Sequence, residues 1–476
     1  MWNFSSYPER LAAVCDTGES ITYGQLTRFA DSVRTAVPSR QLVFCLCSNT
    51  LGSLAGYTSF LHNRIVPLLL AGGLDQALLD QLIETYRPSF LWVPQARQAS
   101  FRDASQTSFP VVLSEYGYTL LKTPFTPSPP LYGDLALLLT TSGSTGSPNL
   151  VRQSYENLGA NTASIVECLG ITEHERPITT LPMEYTYGLS IINSHLAVGA
   201  TVLLTTKALM QKEFWSFFRD RQATSFGGVP YTYEMLKRLR FFGMTLPSLT
   251  TMTQAGGKLS PELHREFAQF SHTSGRRFFV MYGQAEATAR MSYLPPERSL
   301  EKCGSIGIAI PGGEFSLVDG EGNVVTEPDT IGELVYRGRN VTLGYARCGD
   351  DLIHGNENGC ALATGDLAKR DADGFYYIVG RKKRFIKIFG NRINLDDAER
   401  LIHSAFPDLG FACAGHDDHM VIFITAADQG EAVKRFISEK TGIHPTAFAV
   451  TPIQAIPRND AGKTLYAKLE TLICGR

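Results

Sequence analysis

At 476 residues the chain exceeds what one hydrophobic core organises, which points to two or three domains. Apolar residues make up 43% and charged residues 19%, and 44 basic against 46 acidic side chains leave a net charge of −2, so no global field favours nucleic acid or an anionic membrane. Nine scattered cysteines, an odd number with no Cys-x-x-Cys pair, argue against a disulfide framework and for a reducing cytoplasm.

From the N-terminus, the first ten residues lack a basic stretch followed by an apolar one, so no secretion signal is expected. Ile21–Leu26 reads as a short strand feeding a helix that runs to about Val37. Leu42–Cys47 and Phe90–Val93 read as buried strands with helical pieces between them. That alternation makes α/β the expected fold class. The greasiest window, Ile65–Ala71, is too short to span a bilayer, so stable membrane insertion is not expected. Prolines at 124, 127, 129 and 130 form a linker-like break.

The apolar run from Leu137 then discharges into a loop of hydroxyls and glycines that extends to Asn149. Gly143 and Gly146 let the backbone curl, so that N–H groups converge with the hydroxyls of Thr141, Ser142, Ser144 and Thr145. Such a nest of neutral donors suits a polyphosphate, although a Ser/Gly-rich surface turn accounts for the stretch equally well. It is not a Walker A loop: the nearest approach, Gly462-Lys463-Thr464, has Pro457 where the first glycine should stand. Nor does Ser144 sit in a Gly-x-Ser-x-Gly elbow of the hydrolase type. A helix over Tyr155–Leu169 follows, with Ser154 as its expected N-cap, and a second strand–helix alternation runs from Ile178 to about Val280.

Tyr282-Gly-Gln-Ala-Glu286 follows the apolar strand Phe278–Met281, and strand ends of open α/β sheets are where ligands bind. Glu286 can hold a divalent cation there, or be a solvated loop carboxylate. Beyond Gly304, strand-like segments at Phe315–Val318, Gly332–Tyr336 and Phe375–Val379 alternate with Asp-Gly and Glu-Gly turns, which predicts a β-rich subdomain over about 304–380. Within it, Thr364-Gly-Asp366 places a carboxylate on a tight turn, able to accept both hydroxyls of a ribose; such turns are also abundant. The basic run Arg381–Arg384 marks the next change. We expect a large N-terminal unit over 1–381, a hinge at Lys382–Lys383 and a small mobile α+β domain over 382–476. Lys382 and Arg384 read as solvated charges, and His416-x-x-His419 as a surface loop. Pro457–Lys463 is a turn-rich loop ending in a lysine that is either a mobile reaching group or simply exposed.

In this order the segments resemble the adenylate-forming superfamily: acyl- and aryl-CoA synthetases, luciferases and the adenylation domains of peptide synthetases. The likeness runs from about Ile21 to Lys463, and Pro182–Gly188, Gly332–Gly338 and Gly344-Tyr345 add to it. The resemblance implies ATP and Mg²⁺ as cofactors. It assigns Ser142, Gly143, Ser144, Thr145 and Gly146 to the β- and γ-phosphates, Tyr282 to the adenine and Glu286 to the metal, and it counts Thr141, Gly257 and Gly283 among the ATP-binding residues. Asp366 would grip the ribose, assisted by Arg381. Lys463 would bind the carboxylate and α-phosphate while the acyl-adenylate forms. The C-terminal domain would then swing about Lys383, and the strand carrying Lys387 would replace Lys463 beside a pantetheine thiol. Lys463, Lys387 and Glu286 are thus the implied catalytic residues.

The implied acid pocket is lined by Tyr185, Gly188, Gly228, Ala255 and Gly256, with glycines at 227, 228, 256 and 257 leaving room beside the substrate. Amino-acid-activating relatives carry an aspartate where Thr186 stands, which favours an acid without an α-amino group; Glu184 keeps an amine-bearing acid open. Two positions depart from the family pattern: Asn149 for the usual lysine and Ala285 for the usual threonine. The expected activity is ATP-dependent activation of a carboxylic acid followed by transfer to CoA. The alternatives are loading of the phosphopantetheine arm of an acyl carrier protein and, motivated by the two departures, a weakly active nucleotide-binding regulator.

Overall fold

Leu42–Cys47 is apolar at every position and forms a strand buried along its whole length. Such strands belong to parallel sheets covered on both faces. In this computed structural model it pairs in parallel with Val66–Ala71 on one side and Phe90–Pro94 on the other. The residues described are 2–102, 107–125, 129–140, 150–382, 384–388, 391–416, 419–441, 443–459 and 462–474, without the side chains of 385, 387, 391, 392, 394, 397 and 474.

These strands form the middle of an eight-stranded sheet that ends in Gly344–Ala346, Leu150–Ser154 and Leu135–Thr140 on one side and Tyr118–Lys122 and Val111–Glu115 on the other. A nine-stranded sheet has a parallel centre running Leu11–Cys15, Val202–Leu204, Pro177–Ile178, Ser225–Gly228, Thr251–Gln254, Arg277–Tyr282. Helix Leu51–His62 is buried from Leu51 to Leu61, and helix Thr186–Ala197 from Tyr187 to Leu196. Helices apolar all round are enclosed ones. A single core cluster accordingly runs from Ala13 and Val202 of one sheet, through Leu54 and Ile192 of the two helices, to Val43 and Leu69 of the other sheet.

Local signals place the helices where the sequence puts them. Thr22 Oγ1 accepts from Gln25 N at 3.1 Å, and Gln25 Oε1 accepts from Thr22 N at 2.7 Å, starting the helix Tyr23–Ala36. Ser154 begins Tyr155–Leu169 in the same way, its Oγ 3.0 Å from Asn157 N, and Gly170 closes that helix at φ 60°.

The described residues divide into two compact units: 2–140, 150–314 and 337–362 in the first, Phe315–Tyr336 and residues from 363 onward in the second. The predicted β-rich segments form a four-stranded sheet in the order Gly313–Val318, Gly332–Gly338, Ala361–Arg370, Tyr376–Arg381. The C-terminal part has a two-stranded hairpin, Phe385–Ile388 with Asn391–Asn394, and a three-stranded sheet, Phe411–His416, His419–Ile424 and Phe448–Pro452. Helices Leu395–Ala405 and Gly430–Thr441 contribute Ile402, Val433 and Ile437 to the core on one of its faces, and Leu469 of helix Tyr466–Cys474 packs with Phe423. Lys382 falls inside the second unit and Lys383 outside the described residues, so a domain boundary after 381 and a hinge at Lys383 remain proposals. His416 and His419 are register partners at the ends of two strands rather than members of a free loop. No helix among the described residues is long and apolar enough to cross a membrane.

Candidate active site

The strand Arg277–Tyr282 ends in Gly283, and the chain then doubles back so that Tyr282 pairs with Ser292. A Cβ on residue 283 would stand 1.7 Å from the carbonyl oxygen of Ala289, so this close return admits only glycine. Between them a 3₁₀ turn, Ala285–Ala287, carries Glu286. Its main-chain carbonyl accepts from Thr342 N at 2.9 Å and from Thr342 Oγ1 at 3.0 Å. Its carboxylate Oε1 accepts from the Tyr345 hydroxyl at 2.6 Å. Burial first, and the Glu286 carboxylate second, hold that phenol above the usual tyrosine range.

Tyr345 is itself fixed from below. It lies on the strand Gly344–Ala346, opposite Val151. Arg152, fully enclosed, donates from Nε to the carbonyl of Tyr345 at 3.0 Å and from Nη2 to that of Leu343 at 3.2 Å, and pairs with Glu357 at 2.5 Å. Gln284 Nε2 donates to the Tyr282 hydroxyl at 3.1 Å. The result is a hard carboxylate on a rigid turn at the carboxyl end of a parallel strand, a donor suited to Mg²⁺.

The expected acid-pocket residues lie in the same unit, Gly228, Ala255 and Gly256 at the ends of two neighbouring strands and Tyr185 and Gly188 at the start of helix Thr186–Ala197. Ala255 is buried and donates its N–H to the carbonyl of Gly228. The space beside the glycines is occupied by the protein itself. A Cβ on Gly256 would meet the Tyr185 hydroxyl at 2.5 Å, one on Gly227 the Ile191 Cδ1 at 2.6 Å, and one on Gly228 the Thr232 Cγ2 at 2.7 Å. Gly257 stands against Pro230, and Gly188 against the carbonyl of Pro182. Tyr185, at the start of helix Thr186–Ala197, packs edge-on against Tyr187 with ring centroids 6.4 Å apart. Burial raises its phenol well above the usual range.

In the second unit Asp366, 4% exposed, is the register partner of Arg381, whose Nε stands 3.2 Å from its Oδ1. Gly365 takes φ 72°, and Thr364 Oγ1 receives the N–H of Asp366 at 3.1 Å while donating to the carbonyl of Leu334. The turn therefore presents the carboxylate at a fixed angle. Lys463 ends a tight loop: its N–H donates to Asn459 Oδ1 at 2.8 Å, and its carbonyl receives the N–H of Asn459 at 2.9 Å. Lys387 lies on the hairpin strand opposite Arg392. Thr141, Ser142, Gly143, Ser144, Thr145, Gly146 and Lys383 lie outside the described residues, as does the side chain of Lys387.

Arg384 departs from the solvated reading. Its side chain is 12% exposed and donates to Asp396, to Glu399 at 2.9 Å and to the carbonyl of Cys413 at 2.7 Å, with the Tyr466 ring 3.7 Å from its guanidinium carbon. Lys382 pairs with Glu333 at 2.7 Å. Two features escaped the sequence reading altogether. Arg152 and the Tyr345–Glu286 contact join residues more than fifty positions apart, and only the Gly344-Tyr345 motif hinted at the second. The buried Arg290, four residues past Glu286, carried no sequence signal beyond being one cation in an apolar stretch.

With this geometry in hand, comparison with known proteins is decisive for the family. The model of the AMP-binding enzyme family matches residues 2–346. The 2-succinylbenzoate–CoA ligase of Bacillus velezensis is 28% identical over 349 residues, 71% of this chain and 69% of that protein. The oxalate–CoA ligase of Arabidopsis thaliana is 30% identical over 266 residues, 55% of this chain and about half, 51%, of that protein. Among solved structures, o-succinylbenzoate CoA synthetase from Bacillus subtilis in complex with the acyl-adenylate intermediate OSB-AMP superposes with a TM-score of 0.76 at 21% identity, covering 97% of this chain and 96% of that one. The same enzyme solved with ATP and magnesium ion gives 0.75 at 22% identity, covering 97% of each chain. The chain belongs to the AMP-binding enzyme family, within the adenylate-forming superfamily, and is an enzyme of the AMP-forming acid–thiol ligase type.

Proposed function

We propose that this chain uses ATP to activate a carboxylic acid as its acyl-adenylate and then passes the acyl group to the thiol of CoA. The observation that carries the reading is Glu286, its main-chain carbonyl held by Thr342 and its carboxylate by Tyr345, on a rigid turn at a parallel-strand end. The relatives named as CoA ligases support CoA over a carrier protein as acceptor.

A carboxylate is a poor electrophile, and the chemistry divides accordingly. A substrate carboxylate oxygen bonds to the α-phosphorus of ATP, the bond from that phosphorus to the bridging oxygen breaks, and pyrophosphate leaves. The thiol sulfur then bonds to the acyl carbon, the bond to AMP oxygen breaks, and the thiol proton goes to solvent. Glu286 would hold the Mg²⁺ that ATP brings, and that ion would supply charge neutralisation at the phosphates. Asp366 accepts the ribose hydroxyls, with Arg381 holding that carboxylate in place; Tyr282 lies beside the adenine. Lys463 neutralises the carboxylate and α-phosphate in adenylation, and the hairpin bearing Lys387 serves the thiol step. Asn149 and Ala285 remove a cation and a hydroxyl from the expected phosphate set, so a modest rate is expected. All eight described cysteines are free, in keeping with a cytoplasmic enzyme.

The test is carboxylate-dependent ATP–pyrophosphate exchange across aryl, alkyl and amino acids, followed by thioester formation with CoA. Exchange with at least one acid and a CoA thioester as product is the expected result. Nucleotide binding without exchange for any acid would leave only the regulator reading, and exchange followed by transfer to a holo-carrier protein alone would replace CoA.

A further inference from the structure

Arg290 is 3% exposed. Its main chain is anchored, with Asn161 receiving its N–H and Asn161 and Asn340 donating to its carbonyl. Its guanidinium is different: Nε and Nη1 are enclosed, and no described group accepts a hydrogen bond from either. The group lies 5.2 Å from the Tyr187 ring centre. Beside it is a cavity of about 20 Å³ bordered by Glu175, Ile191, His195, Thr253 and Arg277. The one carboxylate there is already engaged, receiving Thr224 Oγ1 at 2.5 Å and lying 3.7 Å from Arg277. His195 supplies no negative charge, since Nδ1–H donates to the carbonyl of Ile191 at 2.8 Å and burial pushes its pKa down to about 4.

Arg277 is part-exposed and already takes Glu175, so no described carboxylate is left to offset the buried charge of Arg290. A guanidinium cannot shed the charge by losing a proton, so an enclosed one without a partner carries a large desolvation penalty. An arriving anion would remove that penalty. Tyr187 lies against both this group and Tyr185, a residue of the expected acid pocket, and Ile191 borders the cavity and stands where a Cβ of Gly227 would be.

We propose that Arg290 recognises a second anionic group on the acid, so that the enzyme activates one carboxylate of a dicarboxylic substrate. This inference rests on the ligase reading above and names the substrate class of that same pocket. The cavity is smaller than a carboxylate, so entry requires the Ile191 side chain to rotate away from Gly227. A planar, bidentate guanidinium suits that end of the substrate better than an ammonium group would.

The experiment compares α,ω-dicarboxylic acids of increasing length with their monomethyl half-esters in pyrophosphate exchange by the full chain. At the best length the free diacid should show a kcat/KM at least about 10-fold above its half-ester, the ordinary scale of a hydrogen bond to a charged group. Arg290→Met should shrink that ratio toward one, acting chiefly through KM, and Arg290→Lys should restore it only in part. Half-esters equal to diacids in the unaltered enzyme, or equal losses for both substrates in Arg290→Met, would overturn the proposal and leave the ligase reading intact. If no acid supports exchange, that reading falls, and calorimetric titration of the nucleotide-free protein with the same pairs decides the anion site. Diacid binding absent for the half-ester and lost in Arg290→Met sustains it; equal or absent binding ends it. Should Arg290→Met fail to fold by circular dichroism, the diacid/half-ester ratio of the unaltered enzyme still decides.

Discussion

The two units hold their candidate residues by different means. Around Glu286 the restraints are main-chain bonds and close packing: Thr342 holds the turn carbonyl, Gly283 admits the returning chain, and Arg152 anchors the strand that supplies Tyr345. Around Arg381 and Lys463 they are ion pairs and turns: Asp366 with Arg381, Asp396 with the N–H of Arg381 and with Arg384, and Asn459 with Lys463. Interactions of the first kind cannot be exchanged without opening a core, whereas the Arg381 pair, its guanidinium 62% exposed, can be remade at little cost. A fixed carboxylate and a removable cation are what a reaction in two steps requires.

The comparison breaks most directly at the cation. Lys463→Ala should lower pyrophosphate exchange by roughly 10²–10³, as for loss of one preorganised donor, whereas Lys387→Ala should retain exchange and lose thioester formation. If the two variants exchange phenotypes, the assignment of one lysine to each step is wrong. A smaller effect tests whether the charges of the second unit are structural. Arg384→Met leaves Glu399 and Asp396 without their guanidinium and should cost about 1–3 kcal/mol in urea unfolding; an unchanged midpoint would mean that the network is merely solvated charge.

Acid sharpens the contrast from the first unit's side. His264 accepts the N–H of Gly304 on Nδ1, pairs through Nε2 with Ser299 and, like His195, is pushed down to about 4 by burial. Both are therefore neutral when folded at pH values where the unfolded chain, with a histidine pKa near 6.5, already binds protons. Stability is complete above about pH 6.5 and lost as pH falls toward 4, by about 1.4 kcal/mol per pH unit for each histidine. All three tryptophans, at 2, 92 and 215, lie in the first unit, so denaturation followed by their fluorescence at pH 7 and pH 5 reads this directly. A midpoint independent of pH would show that the two imidazoles reach water. The smallest effect is expected of Tyr345→Phe, about 1 kcal/mol by the same fluorescence measurement, because its phenol is half-exposed. No loss at all would mean that Glu286 is held by its main chain alone.

Much of the architecture was legible from local patterns. Apolar runs such as Leu42–Cys47, the caps Thr22 and Ser154, and the Asp-Gly turns of the β-rich segments act within a few residues, so their structure follows from composition and spacing. Motif order was equally legible, and it led to the family. The glycines at 227, 228 and 256 were read as space, yet Ile191, Thr232 and Tyr185 fill it, because a missing Cβ does not say which neighbour moves in.

What the chain alone determined is therefore the local and the ordered: which segments are strands and helices, where they start, and which residue types stand at the strand ends. Tertiary structure decided which distant groups meet. Arg152 reaches Tyr345, Tyr345 caps Glu286, Arg384 leaves solvent for Glu399, and Arg290 is buried without a counter-ion among the described residues. The energy of a charge depends on its dielectric surroundings and partners, and those come from residues tens to hundreds of positions away.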